Sequence, residues 1–125
     1  MATHDRLTAF LLVAAAICLT VTGELFLKSG MNRVGAVNMH DLLATIRRAV
    51  ALPQIWVGFG FVFGGAMIWL SAISRAPLSW AYPILSLGYV LILVLSRLFL
   101  GETVPLTRWL GTLIIVAGVW LVFRS

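Results

Sequence analysis

The stretch "TVTGELFLKSG", Thr20 to Gly30, sets a carboxylate and an amine at the end of a long apolar run. Ala16, Thr20 and Glu24 recur at four-residue spacing, so a helix would put them on one face, bordered by Val13 and Ile17 and continued by Lys28. A carboxylate there can accept hydrogen bonds from hydroxyls, pair with an amine, or hold a proton. An ionisable group inside a membrane span is costly and by default points to function. A plainer reading stands beside it. Glu24 and Lys28 are spaced i,i+4 in the favourable order, about 6 Å apart along a helix axis, and suit a simple ion pair near the interface.

A second polar set lies in "APLSWAYPILSLGYV". Ser79, Tyr82, Ser86 and Tyr89 repeat at three- and four-residue spacing and give one polar-aromatic face. Such a face can line a groove for a head group, or, with Trp80 and Tyr82, form an interfacial aromatic belt. Pro83 removes a backbone donor and is expected to kink the helix around residues 79–83. The third set is basic: Arg47 and Arg48 in "MHDLLATIRRAVALP". They suit lipid phosphates, or simple anchoring at the membrane surface.

The elements that must carry these groups follow from composition. The chain has 125 residues, 62% of them hydrophobic and 10% charged, with a mean hydropathy of +1.07. A soluble domain this small needs more charge than that. Apolar blocks run from about Leu7 to Leu27, Gln54 to Ser74, Leu78 to Leu100 and Leu106 to Phe123. Each can cross a bilayer, and with no backbone partners in lipid each must be an α-helix. The expectation is one all-α membrane domain over residues 1–125 with four transmembrane helices. The first block is longer than a signal-peptide core and no A-x-A-like site follows it, so it is expected to remain as a span. Cys18, the single cysteine, has no intramolecular partner.

Between the first two spans, Met39, Leu42, Leu43, Ile46 and Val50 recur at helical spacing, with Asp41, Thr45, Arg47 and Arg48 elsewhere on the wheel. A short amphipathic helix, ended by Pro53, is expected in the interface. The net charge of +5 is no nucleic-acid footprint, because the basic residues flank apolar spans. Lys28, Arg33, Arg47, Arg48, Arg97 and Arg108 fall on one side of a four-span topology, and Arg6, Arg75 and Arg124 on the other. The positive-inside rule therefore places both termini outside. Gly111 and Gly118 in "GTLIIVAGV" share a face of the fourth span that admits close approach of another helix, in a dimer or within the chain; Gly58, Gly60, Gly64 and Gly65 enrich the second span similarly. No metal cluster, nucleophile–base pair or phosphate-binding glycine loop suggests an enzyme or a cofactor. His4 and His40 stand alone and read as solvated.

With "TGELFLKSG", "AYPILSL" and "GETVPLTRWLGTLIIVAGV" in place, the chain resembles the small multidrug resistance superfamily over nearly its whole length, the amphipathic insertion excepted. Gly101 and Glu102 before the fourth span are similar to the wider drug/metabolite transporters. The segment from Trp69 to Val122 is most similar to subunits that flip aminoarabinose-phosphoundecaprenol for lipid A modification. Drug-exporting members carry a glutamate eight residues before the lysine that ends the first helix. That position is Thr20 here, and their tryptophan three residues after the tyrosine matching Tyr82 is Leu85. In the lipid-linked branch the position of Glu24 is often a polar amide. The resemblance implies a bacterial inner-membrane flippase for a polyprenyl-phosphate-linked sugar. Glu24, Thr20, Lys28, Tyr82, Ser86 and Tyr89 would meet the head group, and Arg47 and Arg48 the phosphate. It also implies pairing, with itself or with a related subunit, and a six-to-three charge bias favours one fixed orientation for each copy. A proton-coupled exporter of cationic drugs and a non-transporting scaffold subunit are the other two readings.

Overall fold

The computed structural model describes residues 2–125. Helix α1 spans Thr3–Val34, followed by a 3₁₀ turn at Met39–Asp41; α2 spans Leu42–Val50, α3 Pro53–Ile73, α4 Leu78–Leu85, α5 Leu87–Phe99 and α6 Leu106–Arg124. Four units are long and apolar enough to cross a membrane, α4 and α5 together making the third. The four-span, all-helical expectation holds, with α2 as the short helix between the first two spans. Large apolar side chains such as Leu113, Ile114 and Leu121 lie exposed around the bundle, as lipid requires. This is a multi-pass membrane protein.

Helix α1 is longer than the expected Leu7–Leu27. Its 32 residues make about 48 Å of helix, against a hydrocarbon core of about 30 Å. It continues past Lys28 and Arg33 until Gly35, whose φ of 94° suits only glycine and whose N–H bonds to the Met31 carbonyl at 2.8 Å. Pro53 opens α3 at its first turn, where a missing N–H costs nothing.

The break in the third span is displaced from its expected place. Residues 79–83 stay helical, and the helix interrupts at Ser86. Pro83 cannot donate to the carbonyl one turn before it. The chain answers one turn later with tight bonds: the Ser86 N–H reaches the Pro83 carbonyl at 3.1 Å, its hydroxyl donates to the same oxygen, and the Tyr89 N–H bonds to the Ser86 carbonyl at 2.9 Å.

Helix α1 is the spine. It packs along α3 and also against α4 and α5, whereas α6 packs on α4 and α5. Ala9, Val13, Ile17 and Val21 of α1 meet Ala72, Ala76, Trp80, Ala81, Ile84 and Val119 in the core. Trp80, weighed as a belt residue, is buried in this core. The end of α6 touches α1 through the edge-to-face pair Phe10–Phe123, at 5.3 Å, and through Arg6, which donates to the Phe123 carbonyl at 3.4 Å.

The α2 helix turns a different face inward than its wheel suggests. Thr45, grouped with the polar residues, is 2% exposed, its hydroxyl donating to the Asp41 carbonyl at 2.9 Å. Met39, Leu43, Ile46 and Val50 point away from the rest of the chain. An apolar stripe faces the larger apolar volume, and for a helix at the interface that is lipid rather than the bundle.

Candidate head-group groove

Between α1, α3 and the α4–α5 unit lies an open groove of about 360 Å³. Helix α1 supplies Ala16, Thr20 and Glu24, the face read from four-residue spacing, with its border residue Ile17 and, in addition, Val21. The Pro83 and Ser86 region supplies Tyr82, Ser86 and Tyr89. Five of the six expected substrate residues thus share one space. Tyr82 and Tyr89, 56% and 63% exposed, stand at its open side.

The sixth does not join them. Lys28 is exposed and outside the lining, one turn beyond Glu24. Among the described residues no Lys or Arg nitrogen lies within ion-pair distance of Glu24, so the Glu24–Lys28 pair does not form. Ser79 is likewise exposed and outside the groove.

Helix α3 builds a wall that the sequence reading missed: Val62, Gly65, Ala66 and Trp69. Trp69 meets Tyr82 edge-on, ring centres 5.3 Å apart at 88°, which fixes both rings at one end of the groove. Gly65 sets the depth. A Cβ at this position would collide with the Thr20 hydroxyl and stand 3.0 Å from the Ala16 carbonyl. A Cβ on Gly58 would likewise stand 2.8 Å from the Gly23 carbonyl. The missing side chains let the α1 and α3 backbones touch, as small residues do in membrane packing. Gly88 on α5 performs a milder version of this beside Ile17, where a Cβ would have 3.4 Å.

Chemically the groove is an apolar cleft with a few polar groups: one carboxylate, the Thr20 and Ser86 hydroxyls, two phenols and an indole. Among the described residues no Lys or Arg lines it. It fits a polar or cationic group and repels an isolated anion. Arg47 and Arg48 are exposed on α2, away from the groove. Gly111 and Gly118 lie exposed on α6, and a Cβ at either meets nothing within 4 Å.

Comparison with known proteins supplies the family. The EamA-like transporter family matches residues 8–124. A protein of Serratia proteamaculans, named a probable 4-amino-4-deoxy-L-arabinose-phosphoundecaprenol flippase subunit ArnF, is 32% identical over 114 residues, covering 87% of each chain. The ArnE subunit of the same designation from Hamiltonella defensa is 32% identical over 90% of this chain and 93% of its own. The ArnE protein of Yersinia pseudotuberculosis is 31% identical over 92% and 96%. No solved structure matches. With its four spans and a match running over nearly its whole length, the chain belongs to the EamA-like transporter family.

Proposed function

We propose that this chain is a small multidrug resistance-type subunit of a flippase carrying a polyprenyl-phosphate-linked sugar across the bacterial inner membrane. One observation carries the reading: Glu24, Thr20, Tyr82, Ser86 and Tyr89 converge on a single open groove without a basic residue. The names of the relatives, subunits of an aminoarabinose-phosphoundecaprenol flippase, support it. The work is transport, with no bond made or broken.

The barrier in such a reaction is a charged head crossing hydrocarbon. The groove lowers it by replacing hydration. Glu24 accepts from sugar hydroxyls or pairs with a sugar amine, and Tyr82, Ser86 and Tyr89 supply further hydrogen bonds. The phosphate, unwelcome in the groove, stays at the mouth. Lys28 stands there one turn beyond Glu24, and Arg47 and Arg48 present it with cations at the surface. The polyprenyl tail stays in lipid, passing between the exposed Tyr82 and Tyr89. Pairing with itself or with a related subunit closes the open side, and the bare Gly111–Gly118 face of α6 is the dimer contact.

The test is flipping of the lipid-linked sugar in proteoliposomes. Glu24→Ala abolishes it while expression and assembly persist. Retained flipping with lost expression would refute the role. A lone carboxylate beside Trp69, Tyr82 and Tyr89 also suits an organic cation, which keeps the proton-coupled drug exporter as the second reading. Resistance to cationic drugs conferred by the wild type and lost in Glu24→Ala would favour that one.

A further inference from the structure

The opposite flank of the α1–α3 pair holds a second, wholly different recess. Leu19, Val57, Gly60, Phe61 and Gly64 line a shallow, open depression of about 270 Å³. Among the described residues no polar side chain lines it. A Cβ on Gly60 would meet nothing within 4 Å, so the backbone itself is the floor.

This flank is ordered along its length. Leu19, Phe26 and Arg33 are seven residues apart and share one side of α1. Gln54, Val57, Phe61 and Gly64 share the facing side of α3. Leu19 lies in the recess; Phe26 stacks on Phe61 with ring centres 5.9 Å apart and planes 3° apart; the Arg33 guanidinium donates to Gln54 Oε1 at 3.4 Å. From the bilayer interior outward come Leu19 and Gly64, then the Phe26–Phe61 stack beside Gly60 and Val57, then the guanidinium. Arg33 lies about 9 Å along the helix beyond Leu27, the end of the apolar block, which is head-group depth. Its bond to Gln54 uses one of five N–H donors.

We infer that this flank is a binding site for a resident anionic phospholipid, one acyl chain lying in the Leu19–Gly60–Gly64 recess and the phosphate on Arg33. Charge and polarity run in the sense of such a lipid, with a cation at head-group level and apolar surface further in along the same flank. The site is separate from the head-group groove, which lies on the far side of the Gly58–Gly65 contact. A lipid bound here braces the α1–α3 pair without entering the transport path.

The experiment is native mass spectrometry of the purified protein with phosphatidylglycerol or phosphatidylcholine, beside thermal melts in each lipid. Wild type retains phosphatidylglycerol about fivefold over phosphatidylcholine, the factor one basic residue near the surface supplies. Arg33→Gln levels that preference. Gly60→Leu fills the slot, loses both lipids at least about tenfold, and melts normally without lipid because its Cβ has room. Glu24→Gln leaves all of this unchanged. Wild-type retention in Gly60→Leu would overturn the inference. So would a change of oligomeric state in that variant, which would make the occupant a second copy, or displacement of phosphatidylglycerol by undecaprenyl phosphate, which would make it the transported lipid.

Discussion

Gly58 and Gly65 on α3 have the same seven-residue spacing as Gly111 and Gly118 on α6. Helix α1 lies against the first pair so closely that a Cβ on Gly58 would strike the Gly23 carbonyl and one on Gly65 the Thr20 hydroxyl. Among the described residues nothing lies against the second pair. The first pair closes a seam and thereby shapes two recesses, one on each flank. The second faces outward on the helix with the smallest buried share of the four spans. Spacing marks a face that accepts close approach; it does not say whether the approaching helix belongs to the same chain.

Gly65→Leu should destabilise the protein by about 3 kcal/mol, as overpacking of a tight contact does, read as a lower melting temperature in detergent. Because Thr20 and Ala16 are displaced with it, head-group binding should fall too. An unchanged melt would show that the seam is looser than described. On α6 the same substitution should act only on assembly. Gly118→Leu is expected to leave the monomer's melt within about 0.5 kcal/mol, as exposed sites usually do, and to weaken dimerisation by about 2 kcal/mol, as loss of a central contact does. Cross-linking in membranes reads the second effect, and an intact dimer would free this face for some other use.

A smaller effect is expected at α2. Arg47→Ala with Arg48→Ala should weaken binding of a phosphate-bearing lipid by about 1–2 kcal/mol, at about 1 kcal/mol per basic residue, and a neutral lipid less. Equal loss for both lipids would mean that the arginines only anchor the helix. The mildest perturbation, Ser125→Cys, should cost nothing and report topology. Labelling from one side indicates a fixed orientation, and therefore a parallel pair or a related partner of opposite charge sense. Equal labelling from both sides restores an antiparallel pair of identical chains.

The spans, the α1 face and the aromatic face of the third span were legible because polar residues recur there at helical spacing within apolar runs. Thr20 and Glu24 declare a direction, and so do Tyr82, Ser86 and Tyr89. The α3 wall was not legible. That helix is apolar all round, and a sequence without polarity has no readable face. Trp69, one turn from the end of α3, was the one available signal. Glycine enrichment marked the second span without singling out Gly58 and Gly65 or naming α1 as their neighbour. Lys28 shares the spacing of Thr20 and Glu24 but does not line the groove, because spacing fixes where a Cα sits and not where a long stem goes. Pro83 announced a break, but its position depended on which later residue tightened the turn, and Ser86 did so with both its N–H and its hydroxyl.

The central claim is that a lipid-linked sugar places its head against Glu24. A density map of the protein in nanodiscs containing a polyprenyl-phosphate sugar tests it directly. The account predicts head-group density between α1 and the α4–α5 unit, within about 3 Å of the Glu24 carboxylate, with the phosphate outside toward Lys28. An empty groove with head-group density only beside Arg47 and Arg48, or on the Arg33 flank, would contradict it.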